Sequence, residues 1–494
     1  MVIMKNWQLV PALVCLLVPS QLWSATQTLV QYHSQGGTSA NFSVNAGTKY
    51  NVTLPNPVTA GNALVMVCYS ASATGSVTAS SSPANTWING PTATDIATGT
   101  KLSMWYALNV TAGITVVSVS PQNSSARWQC AAYEFNNVAT SAAADGSASN
   151  STTSDPSAAM TAGTFTTTTS GDLLINSCFI DGVYASDQNP TSFAVGSNSG
   201  INWKFAATSL GWAVATEYGQ QNAAATINPQ MLQNTSAHFI CVSQALKPAT
   251  AGGTLAGMHI VGITSEDTAN FPSSNVIHLQ MPVAGNLVAV SYEGATNQVI
   301  NSITSNPSPA GGWLQRSLSQ PPTGQNAQFF AGENFSGSNN TMLTITQSVL
   351  TSTNTINLID ISGAATVPFD TQVTDSGGQG NNSDLTTASI VPSTSNGLVF
   401  GKLTVSGNTV GGITTAPIFT SCTFGTGEIG NDVPCDRNNG NGNYKNPNTS
   451  PVVFTWRFLD SVPVNGWGFA AVAFQAAAGS SAPAAPTGLQ SIVQ

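Results

Sequence analysis

Thr115-Val116-Val117-Ser118-Val119-Ser120 and, further along the chain, Thr341-Met342-Leu343-Thr344-Ile345-Thr346 decide the fold class. Polar and apolar side chains alternate, so an extended backbone would turn one face to a core and the other to water. The β-branched residues in both stretches favour that backbone. Gly, Pro, Asn and Ser clusters break the surrounding sequence into short runs, and no window carries a capped 3.6-residue apolar stripe. The pattern predicts an all-β protein.

The two stretches belong to a longer duplication. Ser82-Pro83-Ala84-Asn85-Thr86-Trp87 recurs as Ser308-Pro309-Ala310-Gly311-Gly312-Trp313, and Pro57-Val58-Thr59-Ala60-Gly61-Asn62 as Pro282-Val283-Ala284-Gly285-Asn286. Leu64-Val65-Met66-Val67-Cys68-Tyr69 matches Leu287-Val288-Ala289-Val290-Ser291-Tyr292, Asp145 matches Asp370, and Leu173-Leu174-Ile175 matches Leu398-Val399-Phe400. The landmarks keep their order at an offset of roughly 225 residues, the mark of an internal repeat. Two homologous units follow, 26–248 and 254–478, joined by the linker 249–253. Each is expected to be a β-sandwich, a jelly roll of concanavalin-like type, with a closed barrel as the alternative.

Before the first unit, residues 1–25 place Lys5, an apolar run from Leu9 to Val18 and a polar end at Ala25 in the order of a secretory signal peptide. No later run is long enough to be a membrane span. Residues 479–494 form a Pro/Ala linker and a short stub. Charged residues make up 6% of the chain and the net charge is −9, against an ordinary charged share of about 25%. That composition excludes a coiled coil, a basic nucleic-acid binder and a charged disordered tail, and an uncharged surface of Ser, Thr, Asn, Gln and Gly suits an exported protein.

Six cysteines lie beyond Cys15. An even number in each unit fits disulfides made after export: pairs among Cys68, Cys130, Cys178 and Cys241, and a loop bridge between Cys422 and Cys435. Three pairings are open to the first four, whose counterparts in the second unit fall at Ser291, Ile356, Leu403 and Ala471.

Catalytic signatures are missing from the sequence. It holds no Gly-x-Ser-x-Gly elbow, no His-Glu-x-x-His and no Glu-x-Asp-x-x-Glu triplet of the kind that pairs an acid with a nucleophile on one strand face. Two polar sites remain. Trp203 and Trp212 with Asn202 could stack on a sugar and read its hydroxyls. Asp432, Asp436, Asn438 and Asn441 supply oxygen ligands of the type calcium takes, without the spacing of a helix-loop-helix site. No other cofactor is expected.

The order Gly-Asn-Leu-Val-x-Val, Ser-Pro-Ala-Gly-x-x-Trp, Asp145-Gly146-Ser147-Ala148-Ser149 and Ser170-Gly171-Asp172-Leu173-Leu174 is similar to repeat modules of secreted bacterial surface proteins. The resemblance covers both units and implies lectin-like or jelly-roll sandwiches, with no catalytic residue carried over. Pro483-Ala484-Ala485-Pro486-Thr487-Gly488-Leu489 resembles the entry to a fibronectin type III domain. The leading expectation is therefore a secreted or surface-displayed, non-catalytic protein for adhesion or carbohydrate binding, whose partner is a glycan or cell-surface polymer. The alternatives are a self-assembling extracellular subunit that pairs through sheet edges, and a secreted polysaccharide hydrolase using Glu217, Glu293 or Glu428.

Overall fold

The computed structural model describes residues 26–478 except 38–42, 45–48, 71–76, 96–97, 122–125, 152–156, 181–192, 197–200, 202, 208–213, 250–254, 256, 268–275, 295–297, 322–325, 349–354, 378–383, 387, 407–419, 422–438, 447–448 and 458–465. The chain is all-β: the described residues hold strands and turns and no helix, hence no helix able to cross a membrane. The signal-peptide segment, the stub and the Cys422–Cys435 loop lie outside the described residues.

Strand pairing divides the chain into four quarters, 29–135, 144–246, 259–362 and 364–476. In the first, Leu29–Gly37, Ala126–Phe135, Ala63–Ser70, Lys101–Ala107 and Trp87–Thr94 lie side by side as a main sheet. Tyr50–Thr53, Val116–Pro121 and Val77–Ser82 form a smaller one. The third quarter repeats this order with His259–Asp267, Thr355–Ser362, Leu287–Gly294, Asn326–Glu333 and Trp313–Ser319, and with Val276–Val283, Ser338–Gln347 and Ile300–Asn306. The main sheet of the second quarter runs Ala144–Ser151, Phe239–Leu246, Leu173–Ile180, Val214–Gln220, Lys204–Ala207. That of the fourth runs Ala364–Gly377, Gly466–Ala476, Gly397–Ser406, Asn439–Asn446, Thr420–Ser421.

Main sheets pack on main sheets. Val65, Val67, Tyr69 and Tyr133 of the first quarter meet Leu173, Ile175, Phe179 and Val242 of the second in one core. On its other face the first main sheet sends Leu64, Met66, Trp105 and Trp128 against Val52, Val117 and Val119 of its small sheet. The second half repeats both cores. With the small sheet of Ser157–Thr161, Gln230–Ala237 and Phe193–Ala194 behind the second main sheet, the first half is four layers deep, where the periodicity in sequence places a single pair of sheets. The cause is visible in the strands Ala63–Ser70, Leu173–Ile180, Phe239–Leu246 and Leu287–Gly294, which are buried at every position. With core on both faces they have no reason to alternate, and read as plain apolar runs.

Register refines the duplication. Leu64 lies across from Glu134 and Val288 across from Asp360, and both face outer cores, so Asn62-Ala63-Leu64 corresponds to Asn286-Leu287-Val288 without a gap. The cysteines join as Cys68–Cys130 and Cys178–Cys241, each pair directly opposed on neighbouring strands with Cα atoms 4.1 Å apart. The matching pairs in the second half are Tyr292 with Ile356 and Leu403 with Phe469. The counterparts of Cys68 and Cys241 are therefore Tyr292 and Phe469, not Ser291 and Ala471. Large apolar pairs line the outer cores in the second half where disulfides line them in the first.

The recurring tryptophans hold turns. Trp87 Nε1 donates to Ser81 Oγ, which donates to the Pro83 carbonyl; Trp313 Nε1 donates to Ser305 Oγ, which donates to the Pro307 carbonyl. Pro83 thus matches Pro307, and Ser308-Pro309 is an insertion in the second turn. Both indoles pack on their outer cores.

The halves meet through a parallel pairing of Leu29–Gly37 with His259–Asp267, which fuses the first and third main sheets into one eleven-stranded sheet. Tyr32 stands across from Gly262, and a Cβ at 262 would lie 1.9 Å from the Tyr32 ring. Beside it Gln31 Nε2 donates to Glu134 Oε2 at 2.6 Å, Asn56 N donates to Gln31 Oε1 at 2.8 Å, and Asn56 Nδ2 crosses the seam to the Ile260 carbonyl at 2.6 Å. Gly262→Val should cost about 1–3 kcal/mol by overpacking this seam, read as a lower midpoint in denaturant. Unchanged stability would show that Tyr32 does not rest on Gly262.

Candidate functional site

A crevice of about 370 Å³ opens where three quarters meet, a size within the about 300–1,000 Å³ range of small-ligand pockets. Leu29 and Tyr32 of the first quarter and Val261 of the third form its floor on the fused sheet; Lys204 and Tyr218 form the wall from the second quarter. Pro282, Val283, Ala284, Gly337 and Ser338 close it from the small sheet of the third.

Each polar group is placed by a neighbouring strand. Lys204 and Tyr218 are opposed on adjacent strands, and the Tyr218 ring meets Phe135 edge-on at 5.4 Å. Burial pushes the Tyr218 phenol up to about 12. Burial, with the Asp360 carboxyl nearby, also holds the Tyr32 phenol well above its ordinary range. Both therefore stay neutral at physiological pH. The wall is tied across the halves: Gln280 Nε2 donates to the Phe193 carbonyl at 2.7 Å and Phe193 N donates to Gln280 Oε1 at 3.0 Å. The crevice offers one ammonium, the half-buried Tyr218 ring and a serine hydroxyl above the fully buried Tyr32 ring, a set suited to holding a small polar molecule with an apolar side.

The acidic residues do other work. Glu134 Oε1 accepts from Thr59 N and Asn62 Nδ2, and Asp360 accepts from Ala284 N and Gly285 N, so matching carboxylates hold matching turns in quarters one and three. Asp145 accepts from Thr168 N and Thr169 N, and Asp370 from Ser393 N, doing the same in quarters two and four. Burial raises Asp145, but the hydrogen bonds from Thr168, Asp172 and Thr169 outweigh it and hold it below the usual carboxylate range. Burial first, then the neighbouring Asp145, pushes Asp172 up to about 8. Burial likewise pushes Glu217 up to about 8 against hydrogen bonds from Gly196 N and Asn176 Nδ2. His33, its Nδ1 2.5 Å from the Thr53 carbonyl, is driven down to about 4 by burial and is neutral at pH 7.

The residues singled out in sequence fall differently. Trp203 is 3% exposed, packed with Phe165, Leu174, Ile227 and Ala245, so its ring fills a core and presents no face to a sugar. Asn202 and Trp212 lie outside the described residues. Asn441 sits in a paired strand across from Lys402 rather than in a loop. Asp432, Asp436 and Asn438 are outside the described residues, among which no group of three or more His, Cys, Asp or Glu could hold a metal ion. Glu217 and Glu293 are buried in different quarters, and Glu428 is not among the described residues. Sequence reasoning missed Tyr32, Tyr218, Lys204 and Ser338. Lys204, one of only 11 Lys and Arg residues, directly follows Trp203 and was the available signal; the others come together only through the seam.

Family models, characterised proteins and solved structures searched with this chain give no match.

Folded Glu217 keeps a proton that the unfolded chain releases near pH 4.5, so its contribution is lost as pH rises from about 4.5 to about 8. Glu217→Gln should remove that part of the loss, on the order of 4 kcal/mol, in denaturation measured across this window. Wild type and variant losing stability equally would show that Glu217 titrates normally.

Proposed function

We propose that this is an exported, non-catalytic surface protein that binds a carbohydrate or cell-surface polymer in the seam crevice. In each half the strand order supports jelly-roll sandwiches stacked in pairs: counted along the first quarter without Ser43–Val44, the main sheet runs first, eighth, third, sixth, fifth and the small one second, seventh, fourth. Two disulfides and the signal-peptide pattern support export. The crevice carries the binding reading, because it combines an aromatic ring, a hydroxyl and a cation in an opening built by three quarters. The hydrolase reading loses its support where Glu217 accepts structural hydrogen bonds and Glu293 faces a buried lysine.

A second reading, self-assembly, is favoured by one feature. Ala364–Gly377 is a 14-residue edge strand, and Val367 on it is 72% exposed. Such an edge can accept a strand from a second copy.

Saccharide binding by the full chain, screened on a glycan array and measured by calorimetry, tests the first reading. Ser338→Trp, which fills the crevice, should abolish binding, and Lys204→Met should weaken it about tenfold or more, the loss of one charged contact. Binding that survives both substitutions would place the site elsewhere.

A further inference from the structure

The two halves share a frame but differ at one end of the central core. In the first half Tyr69 stacks on Phe179 with ring centroids 3.5 Å apart. Register makes Glu293 the counterpart of Tyr69, Asn357 that of Ala131 and Lys402 that of Ser177. An aromatic and small-residue core thus gives way to an acid, a carboxamide and an amine, and the frame itself does not demand them.

All three lie between the main sheets of quarters three and four. Glu293 shares its strand face with Leu287 and Ala289, Asn357 with Ile359 and Ile361, and Lys402 with Leu398 and Phe400; those six build the central core. Lys402 is 0% exposed, and its Nζ lies 3.4 Å from Glu293 Oε2. Asn357, also 0% exposed, stands directly across from Ser291, two residues before Glu293, so its carboxamide is the diagonal neighbour of Glu293 and within reach of a long side chain. Neither the amide nitrogen nor the oxygen of Asn357 has a hydrogen-bond partner. A buried ammonium and an unsatisfied buried amide are both costly, and each would be relieved by reaction with the other.

We propose that Lys402 and Asn357 become joined by an amide bond in the folded protein, with Glu293 carrying the protons. Glu293 takes a proton from the Lys402 ammonium, and the freed Nζ lone pair attacks Cγ of Asn357. In the tetrahedral intermediate Glu293 relays protons from Nζ to Nδ2. The Cγ–Nδ2 bond breaks, nitrogen leaves as ammonium, and a neutral amide remains between Lys402 and Asn357. Two protons pass from Nζ to the leaving nitrogen, Glu293 returns to its carboxylate, and no oxidant, reductant or second reactant is consumed. The bond ties quarter three to quarter four across the core, in the half where the described residues hold no disulfide.

Trypsin mapping of the full chain, denatured before digestion, tests this. Lys402 is the sole Lys or Arg between Arg316 and Arg437. A free Lys402 gives peptides 317–402 and 403–437 at their sequence masses. The cross-linked chain gives one uncut peptide, 317–437, lighter than its sequence mass by one ammonia, about 17 Da. Glu293→Gln, checked for folding by circular dichroism, should restore cleavage and full mass. Peptide 317–402 at full mass from the wild-type protein would overturn the cross-link, whatever the variant does, and a cross-link that persists in Glu293→Gln would overturn the role given to Glu293.

Discussion

Parallel pairing between Leu29–Gly37 and His259–Asp267 is the constraint on which the rest of the molecule depends. Either strand alone would end a main sheet and present a row of unpaired N–H and C=O groups. Pairing them removes both edges at once and brings the small sheet of the third quarter beside the wall of the second, which is what opens the crevice. Gly262 permits it because the Tyr32 ring occupies the space a side chain would take. The polar chain from Glu134 through Gln31 and Asn56 to the Ile260 carbonyl then fixes the alignment across the seam.

Few charges are present, and many of the acids are spent inside. Glu134, Asp145, Asp172, Glu217, Glu293, Glu333 and Asp360 are all buried. Four positions, Glu134, Asp145, Asp360 and Asp370, accept hydrogen bonds from the turn that leads into a central strand, once in each quarter. Arg316 pairs with Glu333 while its guanidinium lies 4.4 Å from the centre of the Phe369 ring, linking quarters three and four. Charge is thereby used to hold turns and join sheets.

The alternating stretches around Thr115 and Thr341 make the all-β class legible, and Trp87 with Trp313 and Asp145 with Asp370 mark the duplication, because each does a local job at a turn. The further division into quarters is hidden. Strands such as Leu64-Val65-Met66-Val67 face core on both sides, so their sequence says buried without saying by what. The crevice is hidden for a different reason: Tyr32, Lys204 and Ser338 are far apart in the chain and meet only across the seam. Trp203 misled because a tryptophan beside polar residues reads alike whether it plugs a core or lines a surface. Lys402, set within Leu398-Val399-Phe400-Gly401-Lys402-Leu403, is a buried cation inside an apolar run, as Asp360 and Glu134 are buried acids inside theirs.

Hydrogen exchange of the full chain, followed by mass spectrometry on peptides covering 29–37 and 259–267, tests the seam directly. A shared sheet predicts that both segments exchange together and slowly, at a rate set by global unfolding. Two separate halves would leave both as edge strands, with the outward amides of each exchanging rapidly while their neighbours 63–70 and 287–294 stay protected, and that result would contradict the fused sheet.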